Sequence, residues 1–310
     1  MPEDPNKQSG DELARSLGES RQLFLREVAS LRPELHRYCA RMLGSVIDAE
    51  DMVQETLARG YYKLSELETI PPLRPWLFRI AHNCTLDFLR GYERRMSSPL
   101  EESPEIQDKQ DGPGVIAERK DAVMNALSRY LKLPPSQRSC AILKEVFGYS
   151  LEEIAELLDL TVPAVKSALT RARETLAASE TSNAPFATPF VPSPALVHYA
   201  ELFNARDWEN LRALLVEDVK LDLVSKATKR GKTSVGSYFT NYASIEDWKV
   251  IPARLESWEG LAFFPSKNSR VPAYFICVKN DRGGGVTRLR DYRYVPYILL
   301  DASIELARLR

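Results

Sequence analysis

The sequence predicts a multidomain protein in which two all-α domains, a helical bundle and a helix-turn-helix, precede a C-terminal α+β domain. Three observations carry this prediction. Apolar residues recur at helical spacing through roughly the first 180 positions, with almost no alternating runs. Two stretches rich in Pro, Ser, Gly and polar residues, Ser97–Gly114 (SSPLEESPEIQDKQDGPG) and Thr181–Pro194 (TSNAPFATPFVPSP), interrupt the periodicity and read as linkers. Beyond the second, period-2 segments such as Val219-Lys220-Leu221-Asp222-Leu223 appear. The expected boundaries are therefore 20–96 for the bundle, 97–114 for a linker, 115–180 for the helix-turn-helix, 181–194 for a Pro-rich linker and 195–310 for the α+β domain.

With 310 residues, 44% of them hydrophobic and 27% charged, the chain can bury more than one core, which excludes collagen-like, coiled-coil-only and wholly disordered readings. The N-terminal MPEDPNKQSGDELARS is polar and acidic, and no apolar run approaches the ~20 residues of a membrane helix, so a cytoplasmic location is expected. Cys39, Cys84, Cys140 and Cys277 lie far apart and read as reduced core residues. His36, His82 and His198 are equally scattered, so neither a metal nor a cofactor is expected. A net charge of −1 argues against a uniformly basic nucleic-acid binder, but local cationic stripes are compatible with it.

In the first block, Ile47–Leu57 (IDAEDMVQETL) reads as a helix with Asp48 as its N-cap and early acids that suit the helix dipole. Val53, Thr56, Leu57, Gly60 and Leu64 fall inward, which leaves Asp51, Gln54 and Glu55 outward as an acidic patch. A second helix, Pro75–Arg95, buries Leu77, Ile80, Ala81, Cys84 and Phe88. Its other side lines up Arg79, Asn83, Arg90 and Arg94 within roughly 60° of one another, a cationic rail long enough to follow several phosphates. Seen alone, such a stripe is more simply a solvated face with Asp87 and Glu93 as partners along the helix, and Trp76 reads as core.

In the middle block, Ser150-Leu151-Glu152-Glu153 is a capping box, so a helix starts here. Asp159-Leu160-Thr161 makes a turn and a second helix begins at Val162, with Pro163 tolerated in its first turn. Val165, Ala168, Leu169, Ala172 and Leu176 form its buried stripe. On the exposed arc Ser167 and Thr170 are central, Lys166 and Arg173 share one flank and Arg171 takes the other. A helix entering a major groove needs this layout: short polar groups toward base edges and cations toward the phosphate walls. Glu174 on the same arc opposes DNA, but the capped helix, three-residue turn and tri-basic second helix together favour DNA binding.

These two blocks resemble the bacterial extracytoplasmic-function (ECF) sigma factors of RNA polymerase. DAEDMVQETLARGYYKL with PWLFRIAHNCTLDFLRGYERR resembles their region 2, and LPPSQRSCAILKEVFGYSLEEIAELLDLTVPAVKSALTRARETL resembles their region 4. The resemblance implies that Asp48, Asp51, Gln54 and Glu55 contact core RNA polymerase, and that Arg79, Asn83, Asp87, Arg90 and Arg94 face the minus-ten promoter element. It implies further that the loop Glu66–Arg74 pockets a flipped base and that Lys166, Ser167, Thr170, Arg171 and Arg173 read the minus-thirty-five element. TVPAVKSALTRAR departs from many relatives, which carry a smaller residue in place of Pro163 and an arginine near Ala168, so promoter preference is not inherited.

The tail is expected to run through an amphipathic helix (Ala195–Leu215), a strand about Val219–Val224, a helical Ser234–Ala243, and strands about Trp248–Ser257, Ala273–Lys279 and Val286–Tyr294, with Tyr292–Ile298 also β-rich. This order resembles the cone-shaped SnoaL-like polyketide-cyclase fold. The resemblance implies a domain that modulates sigma activity, with a small-molecule ligand as one partner it could take. Enzymes of that fold hold an acid or base inside the cone, for which His198 and Asp222 are the candidates; each also reads as a surface residue, and no catalysis is expected. Asn280–Gly285 reads as a hairpin loop. The expected function is promoter-specific initiation with core RNA polymerase and promoter DNA as partners and no membrane. A helix-turn-helix regulator acting without polymerase and a cyclase- or isomerase-type enzyme fused to a DNA-binding part are the alternatives.

Overall fold

The computed structural model describes residues 24, 26–64, 66–67, 69, 71–97, 126–179, 190–300, 302 and 304–307. The chain divides into two compact units, one holding both helical blocks and the other the tail. Most of the two expected linkers lies outside the described residues.

The helical unit opens with α1 (26–43), which ends at Gly44 with φ of +74°. Only glycine adopts that backbone without strain, and a Cβ there would also lie 2.3 Å from the Leu131 side chain. Helix α2 (Val46–Leu64) follows. Its start corrects the sequence reading: the Ser45 hydroxyl accepts from the Asp48 amide at 3.1 Å, so Ser45 caps the helix and Asp48 sits in its first turn. The serine lies three residues before the amide it caps, which is the distance a cap side chain spans. Helix α3 (Leu73–Ser97) is longer than expected by two residues at each end.

The second helical segment comprises α4 (Ala126–Leu131), α5 (Pro135–Glu145), α6 (Leu151–Leu158) and α7 (Val162–Ser179). Pro135 opens α5, where a missing amide proton costs nothing. The capping box of α6 is complete: Glu153 N–H donates to the Ser150 hydroxyl at 3.1 Å and Ser150 N–H to the Glu153 carboxylate at 2.7 Å. Those bonds hold the Glu153 carboxyl below its ordinary pKa. Asp159 ends α6 in a left-handed conformation at φ 56°, which turns the chain into α7. Val165, Ala168, Leu169, Ala172 and Leu176 are all buried, as the periodicity requires.

The tail is α+β. The expected single helix is two, α8 (Pro194–Ala205) and α9 (Trp208–Ala213), because Arg206 takes a left-handed φ of 60° and the Asp207 carboxylate caps α9 through the Asn210 amide. Strands β1 (Leu215–Leu223) and β2 (Ala227–Arg230) precede short helices α10 (Lys232–Gly236) and α11 (Thr240–Ala243), which a 3-10 turn at Ser237–Phe239 connects. Then come β3 (Lys249–Leu255), β4 (Trp258–Phe264), β5 (Tyr274–Asn280), β6 (Val286–Asp291) and β7 (Ile304–Leu306). Among the described residues they form one seven-stranded sheet in the order β2-β1-β6-β5-β4-β3-β7, antiparallel throughout except for the parallel β1–β6 pair. The run at Tyr292–Ile298 is not a strand; it holds turns and a 3-10 helix at Pro296–Leu299.

The tail core joins α8, the α10–α11 segment and one sheet face, with Phe203, Tyr242, Trp248, Leu261, Ile276 and Leu289 among its residues. Phe203 meets Trp208, Tyr242 and Trp248 edge-on at 5.0–5.7 Å, contacts worth about 0.5–1.5 kcal/mol each beyond area burial. At Gly260 the β4 backbone lies so close to β5 that a Cβ would stand 2.1 Å from the Ile276 carbonyl oxygen.

Candidate polymerase and nucleic-acid interfaces

On α2 the heptad-like burial of Val53, Thr56, Gly60 and Leu64 turns Asp48, Asp51, Gln54 and Glu55 toward the other side. Glu55 is exposed and pairs with Arg59 at 2.6 Å, while Asp48, Asp51 and Gln54 are half-buried. Glu50, on the same helix, is fully buried against Arg32 at 2.5 Å and so belongs to the scaffold. The ridge is thus acidic at three of its four positions.

On α3 the buried side carries Leu77, Phe78, Ile80, Ala81 and Cys84, and Arg79, Asn83, Asp87 and Arg90 are exposed. Asp87 lies 3.6 Å from Arg59 and 3.7 Å from Arg90, so part of the rail is neutralised locally. The side chain of Arg94 lies outside the described residues, as does part of the loop Glu66–Arg74. Trp76 is half-buried and edge-on to Phe24 at 6.5 Å, a packing role.

On α7, Lys166, Ser167, Thr170, Arg171 and Arg173 are all exposed. The Arg171 guanidinium donates to the Ser167 hydroxyl at 2.7 Å, and the Thr170 hydroxyl donates back to the Lys166 carbonyl at 3.1 Å. Both bonds join residues four apart along the exposed face of the helix.

The two helical segments are joined by polar contacts that the sequence did not foretell. The Tyr38 hydroxyl on α1 lies 2.9 Å from His82 Nδ1 on α3, and the Ser139 hydroxyl on α5 lies 3.2 Å from the same nitrogen. Burial pulls the His82 pKa down to about 4, with the Arg90 charge adding to the shift, so the ring is neutral. Burial likewise drives the Tyr38 hydroxyl far above its ordinary range. The Arg138 guanidinium, 7% exposed, donates to the carbonyls of Met42 on α1 and of Leu131 and Leu133 beside α5, and desolvation lowers its pKa. Arg79 donates to the Glu156 carbonyl of α6 at 2.5 Å. Phe78 meets Phe147 edge-on at 5.1 Å, and Arg74 lies 4.8 Å over the Tyr149 ring while pairing with Glu34 at 3.0 Å. One candidate DNA-facing arginine of α3 is therefore held by the helix-turn-helix.

In the tail, neither candidate acid-base residue enters the core. His198 is exposed on α8, where its neighbours Leu196 and Tyr199 take the buried positions. Asp222 points away from the core with Lys220 and pairs with Arg290 at 3.3 Å. The interior acid is Asp291, fully buried on β6; its Oδ2 accepts from Tyr238 at 2.7 Å and Tyr242 at 2.8 Å. The two hydroxyls also lie 2.9 Å apart, and Tyr274 donates to Tyr242 at 3.2 Å. Desolvation raises the Asp291 pKa, and protonation would supply the third proton that this triangle of oxygens otherwise lacks. Sequence periodicity held the only available signal: Asp291 follows Leu289 by two on an alternating strand.

Residues 28–95 match the family model for Sigma-70 region 2, and residues 124–176 match that for Sigma-70, region 4. Over 212 residues the chain is 32% identical to the ECF RNA polymerase sigma factor SigG of Mycobacterium tuberculosis (strain CDC 1551 / Oshkosh), covering 60% of this chain and 57% of that protein. The chain thus spans little more than half the length of that relative. Over 155 residues it is 32% identical to the ECF RNA polymerase sigma factor SigW of Bacillus subtilis (strain 168), covering 47% of this chain and 82% of that protein. Among solved structures, an NTF2-like protein with a cystatin-like fold from Novosphingobium aromaticivorans aligns with 31% of this chain and 75% of its own, at 16% identity and a TM-score of 0.25. With both region models matched in order and four-fifths of a curated relative covered, the chain belongs to the ECF RNA polymerase sigma factors.

Proposed function

We propose that the chain binds core RNA polymerase and directs promoter-specific transcription initiation, and that its C-terminal domain tunes this activity and catalyses no reaction. Asp48, Asp51, Gln54 and Glu55 grip the polymerase. Arg79, Asn83, Asp87, Arg90 and Arg94 face the minus-ten element, and Lys166, Ser167, Thr170, Arg171 and Arg173 the minus-thirty-five element. The observation that supports this reading is the presence, in one helical unit, of an acidic ridge on α2 and two separate cationic faces on α3 and α7.

The packing of the helical unit adds a condition. Elements about 25 base pairs apart are separated by about 85 Å of duplex, whereas a compact unit of about 150 residues has a radius of gyration near 15 Å. Both elements are engaged together only after the α3–α6 contact opens and releases Arg79 from the Glu156 carbonyl.

Transcription in vitro with purified core polymerase tests the proposal. Promoter-specific transcripts are expected only when chain and core are both present. Asp51→Lys with Glu55→Lys should abolish core binding while the circular dichroism spectrum stays unchanged. A charge-reversed variant that binds core normally refutes the docking assignment, and a chain that footprints its site unaided favours a stand-alone regulator. Comparison with a truncation after Ala178 measures what the tail contributes.

A further inference from the structure

We propose that the tail binds a small aromatic carboxylate at Arg293, whose guanidinium takes the carboxylate while the ligand's ring lies against Tyr294. The site begins where β6 ends. Asp291 is the last residue of that strand and is fully buried. Two residues on, Arg293 lies over the rings of Tyr242 on α11 at 5.2 Å, Tyr274 on β5 at 5.8 Å and Tyr294 at 5.8 Å. Tyr242 and Tyr274 are buried, Arg293 is half-buried and Tyr294 is 48% exposed, so the guanidinium stands between the core and solvent.

Stacking on rings stabilises a cation without any hydrogen bond and does not by itself call for a ligand. Comparison with the other ring-stacked arginines of the tail sets Arg293 apart. Arg206, over Trp248, also donates to the Asn204 and Trp248 carbonyls. Arg254, over Phe190, pairs with Glu305 at 2.9 Å, and Arg290, over Tyr292, pairs with Asp222 at 3.3 Å. Among the described residues, Arg293 alone of these four has a guanidinium with neither a hydrogen bond nor an ion pair, although it meets three rings. Its five N–H donors are partly withdrawn from water with no acceptor from the protein.

The groups whose charge bears most on Arg293 are Tyr242, Tyr274, Asp291 and Tyr238. Burial pushes the three phenols above their ordinary range, so they are neutral. The acid is already engaged: Asp291 Oδ1 accepts from the Arg293 backbone amide at 2.9 Å and Oδ2 from Tyr238 and Tyr242. Burial also raises its pKa, which weakens it as a counter-charge for the arginine. A second donor near Asp291 is unspent, since the buried Tyr199 hydroxyl, on which that acid's charge acts, has no hydrogen-bond partner among the described residues. One guanidinium suits a group with a single negative charge and a planar pair of oxygens, whereas a phosphate dianion collects several donors. The surrounding rings favour an aromatic body. A folded protein partner needs roughly 1,000 Å² of contact, and of the three rings only Tyr294 is exposed.

The test titrates the full chain with benzoate and with its neutral counterpart benzamide, read by saturation-transfer NMR. Benzoate should bind about tenfold or more tightly than benzamide, and Arg293→Gln should erase that difference. Arg293→Lys keeps the charge without the planar fork and should retain part of it. Tyr294→Ala should weaken both probes by a similar factor, because ring contact does not depend on the ligand's charge. Near-ultraviolet dichroism reports whether each variant keeps the tail core; where Arg293→Gln loses it, the native preference and the response to Tyr294→Ala decide. The proposal is overturned by equal binding of the two probes to the native chain, by no benzoate binding at millimolar concentration, by a preference that survives in Arg293→Gln, or by a Tyr294→Ala chain that binds both as the native chain does. The assay holds neither polymerase nor DNA, so its outcome is independent of whether the chain initiates transcription.

Discussion

Acidification should loosen the packing of the two helical segments through a single ring, His82. The ring is 8% exposed, wedged between the Tyr38 and Ser139 hydroxyls, and its pKa is near 4 in the packed state. A solvated histidine titrates near 6.5. Because the packed state favours the neutral ring, its stability is complete above about pH 6.5 and declines as pH falls toward 4. Between pH 7 and pH 5 these two pKa values correspond to a loss of about 2 kcal/mol, a shift of roughly twentyfold toward opening. Hydrogen–deuterium exchange of the full chain, read by mass spectrometry and corrected for intrinsic exchange rates, follows peptides of α1, α3 and α5. Their protection should drop by about that factor in the native chain and change little with pH in His82→Gln, while tail peptides serve as the internal control. Equal pH dependence in the two proteins would refute the assignment to His82.

Neutralising Lys166 or Arg173 should make the salt slope of promoter binding shallower by about 0.9 each and leave sequence preference unchanged, whereas Ser167→Ala or Thr170→Ala should alter preference; filter binding over a salt series distinguishes the two. Ser150→Ala removes the capping box of α6 and should cost about 1 kcal/mol in chemical denaturation. Asp291→Ala leaves the Tyr238 and Tyr242 hydroxyls without their acceptor in a dry core, and should lower tail stability by about 3–5 kcal/mol in thermal melts. Gly260→Ala sets a methyl group against the Ile276 carbonyl and should yield an unfolded or aggregated tail, visible as lost near-ultraviolet dichroism.

What the sequence made legible was local. The capping box, the turn at Asp159-Leu160-Thr161 and the stripes of α3 and α7 follow from residue chemistry within a few positions, so the exposed polar side chains can be placed on a helical wheel. The sequence offers Asp48 as a cap because Asp and Ser serve that role equally well, whereas the helix starts at Val46 and the Ser45 hydroxyl takes the cap bond. Strand β4 is not legible by alternation because Trp258–Phe264 is buried on both faces near its end. The Tyr38–His82–Ser139 contact and the Asp291 cluster join residues 44 to 57 and 49 to 53 positions apart, a distance over which periodicity carries no information. The same holds for the parallel pairing of β1 with β6, which joins strands far apart in the chain.

That parallel pairing has a consequence for dissecting the molecule. Strand β1 is anchored on one side by its hairpin mate β2 and on the other by β6, which arrives some 65 positions later. Trimming the chain from its C-terminal end past Val286 therefore withdraws the middle of the sheet and leaves the first two strands detached from the rest. Deletion series that shorten the tail stepwise should collapse at one point instead of declining gradually, and only cuts ahead of Pro194 remove it cleanly.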